Sequence, residues 1–131
     1  MLIYESEFSK VEWLKDKKLV VFSQFGANRG DFLKDSLNKG IQCLKENNAV
    51  KWLSDNRQVG FITPEDVEWV NNDWTPRAIA SGWKKWALIQ PESAVSRLNL
   101  KQLIEFFKNN GVEVKVFTDF DEGLTWLDNS N

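Results

Sequence analysis

Val112-Glu113-Val114-Lys115-Val116-Phe117-Thr118-Asp119-Phe120-Asp121-Glu122-Gly123-Leu124-Thr125-Trp126-Leu127 reads as a short apolar strand, a capped turn and a short amphipathic helix. Val112, Val114, Val116 and Phe117 carry the β-branched and aromatic character of a strand. Asp119 is placed to accept hydrogen bonds from the first backbone N–H groups of a helix. Glu122 stands three residues on, as in a capping box. Phe120, Leu124 and Leu127 then follow at i, i+4 and i+7, which is one helical face. The chain therefore ends with a strand entering a sheet and a helix folding back over it. That decides a fold class but names no reaction.

The 131 residues fit one domain, taken as residues 1–131, and 42 % hydrophobic residues suffice for one core. Seven Trp and nine Phe make that core or its rim strongly aromatic. A net charge of −2 gives no general attraction to nucleic acid or to anionic membranes. The single cysteine, Cys43, excludes an intramolecular disulfide and any multi-cysteine metal site. The start Met1-Leu2-Ile3-Tyr4-Glu5-Ser6-Glu7 lacks the basic-then-apolar pattern of a secretion signal. No apolar run approaches the ~20 residues of a membrane span. The expectation is a soluble cytoplasmic protein. Histidine is absent, which removes Ser-His-Asp and Cys-His nucleophile systems and the usual zinc sites. A carboxylate, lysine or tyrosine could still act as a base, but the expectation is a non-enzyme without cofactor or metal.

Along the chain, residues 2–4, 8–14 and 19–25 read as strands, the last buried on both faces near its centre. Lys15-Asp16-Lys17-Lys18 is a polar turn. From Asp31 a helix follows, with Leu33, Leu37, Gly40, Ile41 and Leu44 on one face. Gly40 there permits close packing, and Cys43 lies beside the stripe with nothing nearby to form a thiolate. Residues 49–53 form the next strand and residues 54–60 a polar connection. Thr63-Pro64-Glu65-Asp66 is a helix start, with Thr63 at the N-cap, Pro64 in the first turn and Asp66 as capping-box partner. Val67, Val70 and Trp74 share one face, while Trp69 points elsewhere. Pro76 makes continuation past Trp74 awkward, which sets residues 78–80 apart as a separate turn. Residues 86–89 form a strand stopped by Pro91. Leu100, Leu103, Ile104 and Phe107 mark a helix ended at Asn109-Asn110-Gly111. The expected order is β-β-β-α-β-α-β-α-β-α: an α/β fold with a mixed, mostly parallel sheet, an N-terminal β-hairpin and about four helices.

This order, with two local matches, resembles the STAS/SpoIIAA-like family, whose fold is shared with the lipid-exchange domains of the CRAL-TRIO group. The family includes bacterial anti-sigma-factor antagonists. Residues 116–127 look like its final strand and Ser-capped helix, with Asp119 at the cap and Gly123 where Ala is usual. Asp55, Val59, Phe61, Ile62 and Val67 fit its strand-to-helix segment Asp-Leu-Ser-x-Val-x-Phe-Ile-Asp-Ser-Ser-Gly-Leu. The signalling members carry a phosphorylatable Ser just after the second Asp of that segment. Here Thr63 stands at the Asp position, Pro64 at the Ser position, and Glu65 and Asp66 replace the following Ser and Gly. The resemblance implies a SpoIIAA-like fold in a branch without the phospho-serine switch.

Each candidate site has a plainer reading beside the functional one. Thr63, Glu65 and Asp66 could mark a regulatory or anion site at a helix N-terminus. An ordinary capped helix is the leading reading, because the two acids already use the dipole and repel a phosphate. Trp83-Lys84-Lys85-Trp86 interleaves aromatics with cations, as nucleic-acid surfaces do, but no wider basic stretch supports it. Trp83 is kept as a candidate for interaction. Asp119, Asp121 and Glu122 lack calcium-loop spacing, and capping explains two of them. Trp69, off the inward face of its helix, is the best candidate for an exposed interface anchor. The reading is therefore a protein-interaction or regulatory module with a protein partner or a homodimer, binding no nucleic acid. The alternative is a carrier of a small apolar or lipid-like ligand in a pocket beneath the Trp-rich helices.

Overall fold

The strands supply the frame because their apolar residues alternate on both faces of one sheet. In the computed structural model, which describes residues 1–60 and 62–130, six strands lie side by side in chain order. They are β1 (Leu2–Glu5), β2 (Ser9–Leu14), β3 (Leu19–Gly26), β4 (Lys51–Val59), β5 (Lys85–Ile89) and β6 (Glu113–Phe117). β1, β2 and β3 pair antiparallel, and β3 through β6 pair parallel. The fold is the expected α/β arrangement with an N-terminal hairpin.

Helices α1 (Gly30–Glu46), α2 (Pro64–Trp69), α3 (Thr75–Ala80), α4 (Ala94–Asn109) and α5 (Phe120–Asp128) connect or close the strands. A π-helical turn, Val70–Trp74, joins α2 to α3 in one helical rod, so the chain has four helical units. Period-two alternation divides the core. Val20, Phe22, Trp52, Trp86 and Leu88 face α1 and α4, while Leu19, Val21, Leu53, Ala87 and Ile89 face Leu127 of α5.

Two expectations change. Residues 54–59 are not a connection, because β4 runs on to Val59. Their polar side chains enter the sheet with partners: Ser54 accepts hydrogen bonds from the indoles of Trp52 and Trp86, each at 2.9 Å. Asn56 accepts one from Gln24 at 2.9 Å. A buried polar group is tolerated once it is hydrogen-bonded, so polarity alone did not mark a loop. Residues 78–80 likewise belong to α3 rather than to a separate turn. Pro76 sits in the first turn of α3, where the missing N–H and the ring are tolerated, and the π turn precedes it. Phe61, one of the matched positions, lies outside the described residues.

Two glycines let elements approach closely. A Cβ on Gly40 would overlap the indole of Trp52, lying 2.8 Å from its Cζ3. That ring is stacked on Trp83 at 4.4 Å between centroids and cannot retreat. A Cβ on Gly123 would lie 2.7 Å from Ile89 Cδ1. That atom is the end of a flexible side chain. Gly40→Ala should therefore lose about 1–3 kcal/mol through overpacking. Gly123→Ala should stay near neutral, because a helix-propensity gain of about 1 kcal/mol offsets the shift of one methyl. Urea unfolding of both variants measures the contrast. Equal losses would show that the Trp52 stack yields as readily as the Ile89 methyl.

Candidate functional site

The start of α2 is a capped helix whose acids have different duties. Thr63 Oγ1 accepts from the Asp66 backbone N–H at 3.2 Å, and Glu65 is exposed. Asp66 does not return a bond to Thr63. Its side chain is 5 % exposed, and Oδ2 accepts from the Gly30 backbone N–H at 3.0 Å. Gly30 opens α1, whose N-cap residue, Arg29, provides no side-chain cap. The carboxylate of one helix thus caps another, where the dipole also favours negative charge. Asp66 is a structural residue, and a phosphate beside it would meet both Glu65 and a buried acid.

Neither tryptophan candidate stands out from the surface. Trp69 is not an exposed anchor: it is half-buried and packs against the core. Lys34 Nζ lies 5.6 Å, and the Arg77 guanidinium 5.9 Å, from its ring centroid, so α1 and α3 both contact it through cations. Arg77 lies further along the same helical rod, and its long side chain reaches back to the ring. Arg77 is itself held by Asp73 and Asn38, each at 3.0 Å. Trp83 is not at the surface either. It is 2 % exposed, stacked on Trp52 and tilted against Phe107, with its indole N–H on the Lys85 carbonyl at 3.0 Å. Thr63, Glu65 and Asp66 therefore sit together, Trp69 faces α1 and α3, and Trp83 belongs to the core.

Cys43 is buried, and that burial pushes its thiol pKa up, which disfavours the nucleophilic thiolate. Among the described residues, no group of three or more His, Cys, Asp or Glu could hold a metal ion. No described helix is long and apolar enough to cross a membrane.

One free surface lies at the β6 edge of the sheet, opposite the other edge strand, β1. β6 pairs with β5 alone. The Glu113 N–H reaches Lys84 O at 2.8 Å, and Phe117 O accepts from Gln90 N–H at 2.9 Å, so odd-numbered residues turn their backbone groups inward. By strand alternation, Val114 and Val116 aim theirs at the open edge, while the Val112 N–H is taken up by the Phe107 carbonyl at 3.1 Å. Beside it, α4 buries Phe107 completely but leaves Val95 63 % and Leu98 69 % exposed. A groove of about 520 Å³ runs between α4 and β6, bordered by Leu98, Lys101, Ile104 and Val116. Val95 and Leu98 were legible as apolar residues outside the stripe of α4, a signal the stripe itself obscured.

No protein-family model matches the chain, and no curated protein does. Among solved structures, it is similar to an uncharacterized protein of the DUF3478 family with a SpoIIAA-like fold from Shewanella loihica PV-4. The likeness has a TM-score of 0.64 at 16 % identity and covers 95 % of this chain and 98 % of that one. At that identity the likeness establishes the SpoIIAA-like fold.

Removing the Asp66 carboxylate should release the α1 N-terminus. Asp66→Ala should lose about 1–3 kcal/mol, the range for a hydrogen bond to a charged group, and Asp66→Asn distinctly less. Trp69→Ala should also destabilise, by more than the roughly 0.5 kcal/mol of a surface change. Thermal and urea melts check both. A Trp69→Ala protein as stable as the parent would return that ring to the surface candidates.

Proposed function

We propose that this chain is a non-enzymatic interaction module of SpoIIAA-like fold, working without a phospho-serine switch, whose partner at the β6 edge is a second copy of itself. The supporting observation is the unpaired edge of β6 beside the uncovered apolar face of α4. Edge strands offer a row of free donors and acceptors, and apolar residues beside them add area for a partner to bury.

Charge selects both the occupant and the register. Only even-numbered residues of β6 direct their backbone groups outward, so antiparallel self-pairing must match even with even. Centring on Val114 sets Glu113, which also pairs with Lys85 of its own chain, opposite Lys115 of the copy, twice. Moving one step toward the C-terminus sets Lys115 against Lys115. Moving one step toward the N-terminus sets Glu113 against Glu113. Opposed unlike charges contribute about 0.2–1 kcal/mol per pair, and like charges directly opposite destabilise. One register is thus favoured over its neighbours. The two-fold axis then stands perpendicular to the sheet, bringing the two α4 helices side by side over Val95 and Leu98.

Regulation by phosphorylation at the start of α2 has no support in this chain. Pro64 cannot be a hydroxyl acceptor, and the Thr63 hydroxyl already caps the helix. The catalytic alternative also lacks its usual partners, since the sequence contains no histidine and the one cysteine is buried with its pKa raised.

Sedimentation velocity tests the reading. The parent chain should dimerise in the micromolar range. Lys115→Glu, which turns two attractive pairs into repulsive ones, should weaken the dimer at least tenfold. The double exchange Glu113→Lys with Lys115→Glu should restore it. A parent that stays monomeric at high-micromolar concentration, or a Lys115→Glu variant with unchanged affinity, would mean that Lys115 guards the edge instead.

A further inference from the structure

The second feature that function could use lies inside the fold, independent of the β6 edge. Two neighbouring chambers, of about 70 and 80 Å³, lie between the sheet on one side and α2, its π turn and the separate helix α4 on the other. They share Gln24, Asn56, Ile62, Val70, Leu100 and Leu103. The inner chamber is walled by Trp52, Trp74, Trp83 and Trp86, and the outer one opens past Val67 and Asn71. Gln24 and Asn56 belong to the later halves of parallel strands β3 and β4. In open α/β sheets the crevice outside the carboxyl ends of strands is where ligands bind. The π turn supplies Val70 and Asn71 to the mouth, a geometry that recurs at functional sites.

The linings restrict the chemistry. No Asp, Glu, Lys or Arg borders either chamber. Burying an unpaired charge there would be strongly unfavourable, so an ionic ligand is rejected. All four indole N–H groups are already spent, two on Ser54, one on the Leu37 carbonyl and one on the Lys85 carbonyl. The four rings therefore present carbon alone, and Ser54 adds a hydroxyl to the inner chamber. Further polarity enters through Asn71, Ser96 and Asn99 at the outer chamber and through a ladder of buried amides. Asn28 Nδ2 donates to Gln24 Oε1 at 3.1 Å, and Gln24 Nε2 donates to Asn56 Oδ1 at 2.9 Å. The ladder is open at both ends. Asn28, 1 % exposed, has no partner for Oδ1, and Asn56 Nδ2 donates to no other described residue. A buried amide oxygen such as that of Asn28 is seldom left unpaired, whereas Asn56 Nδ2 is not sealed from solvent, and Asn56 borders both chambers.

We infer that the chambers form a binding site for a small uncharged molecule, an aromatic or alicyclic ring carrying one carbonyl or hydroxyl oxygen. The ring lies among the tryptophans, and its oxygen accepts the Asn56 Nδ2 hydrogen bond. An apolar cavity of about 150 Å³ takes up benzene, which sets the scale of the ring. A long lipid chain does not fit without displacing α4 from the sheet.

Acetophenone, benzoate and ethylbenzene are the probes: a neutral ketone, an anion of similar size and a ring without an acceptor. Titration into the chain is read from indole N–H and side-chain amide resonances in ¹H–¹⁵N spectra. Acetophenone should shift the Trp52, Trp83 and Asn56 signals saturably in the low-millimolar range or below. Benzoate should not, and ethylbenzene should bind at least tenfold more weakly. Asn56→Leu should remove the preference for acetophenone over ethylbenzene. Leu100→Trp, which fills the mouth without touching the amides, should block both, and the shift dispersion of each variant reports whether it is folded. Equal binding of benzoate, or no saturable shift with any neutral probe, would overturn the inference and leave the chambers as water sites. Dimerisation at β6 is read separately by sedimentation, so the two readings fail independently.

Discussion

The indole of Trp52 sits where four parts of the molecule meet, and their positions follow from it. Its ring is stacked on Trp83, stands edge-on to Trp74 at 5.9 Å and lies 5.8 Å from Phe22. One flank rests on Gly40, so α1 approaches the sheet to a distance that any side chain at that position would prevent. Its N–H joins that of Trp86 on Ser54, which brings a polar side chain into the middle of β4. A flat, rigid side chain with one donor demands a gap on one helix and an acceptor on its own strand. Both are present, and β4 runs on beyond them to Val59.

The same need to satisfy buried polar groups explains where the candidate residues went. A buried carboxylate must find donors, and Asp66 finds one at the uncapped start of α1. A long cationic side chain can cover a ring on its own helix, and Arg77 does so for Trp69. Among the places left open are the outer side of β6, the outward face of α4 and the chambers between α2 and α4. Binding is favoured at such places because the partner supplies the contacts that the chain did not make for itself.

A fold shared at 16 % identity constrains architecture more than chemistry. The SpoIIAA-like fold is what the two proteins share. The charge pattern of Glu113 and Lys115 and the amide ladder from Asn28 to Asn56 are properties of this chain's own side chains.

Much of the architecture is local in origin and was legible in the sequence. Apolar spacing placed α1, α4 and α5, capping chemistry placed Thr63 and Asp119, and alternation placed five of the strands nearly to their ends. These depend on interactions within a few residues, which a linear reading captures. The extent of β4, the burial of Trp69 and Trp83 and the duty of Asp66 were not legible, because each depends on a partner far along the chain. Ser54 becomes a strand residue through Trp86, Asp66 a cap through Gly30, and Trp69 a covered ring through Lys34 and Arg77. Residue type restricts what a side chain needs. Only the tertiary structure decides which distant group meets that need, since hydrogen bonds and van der Waals contacts act over a few ångströms and the chain must first bring the groups together.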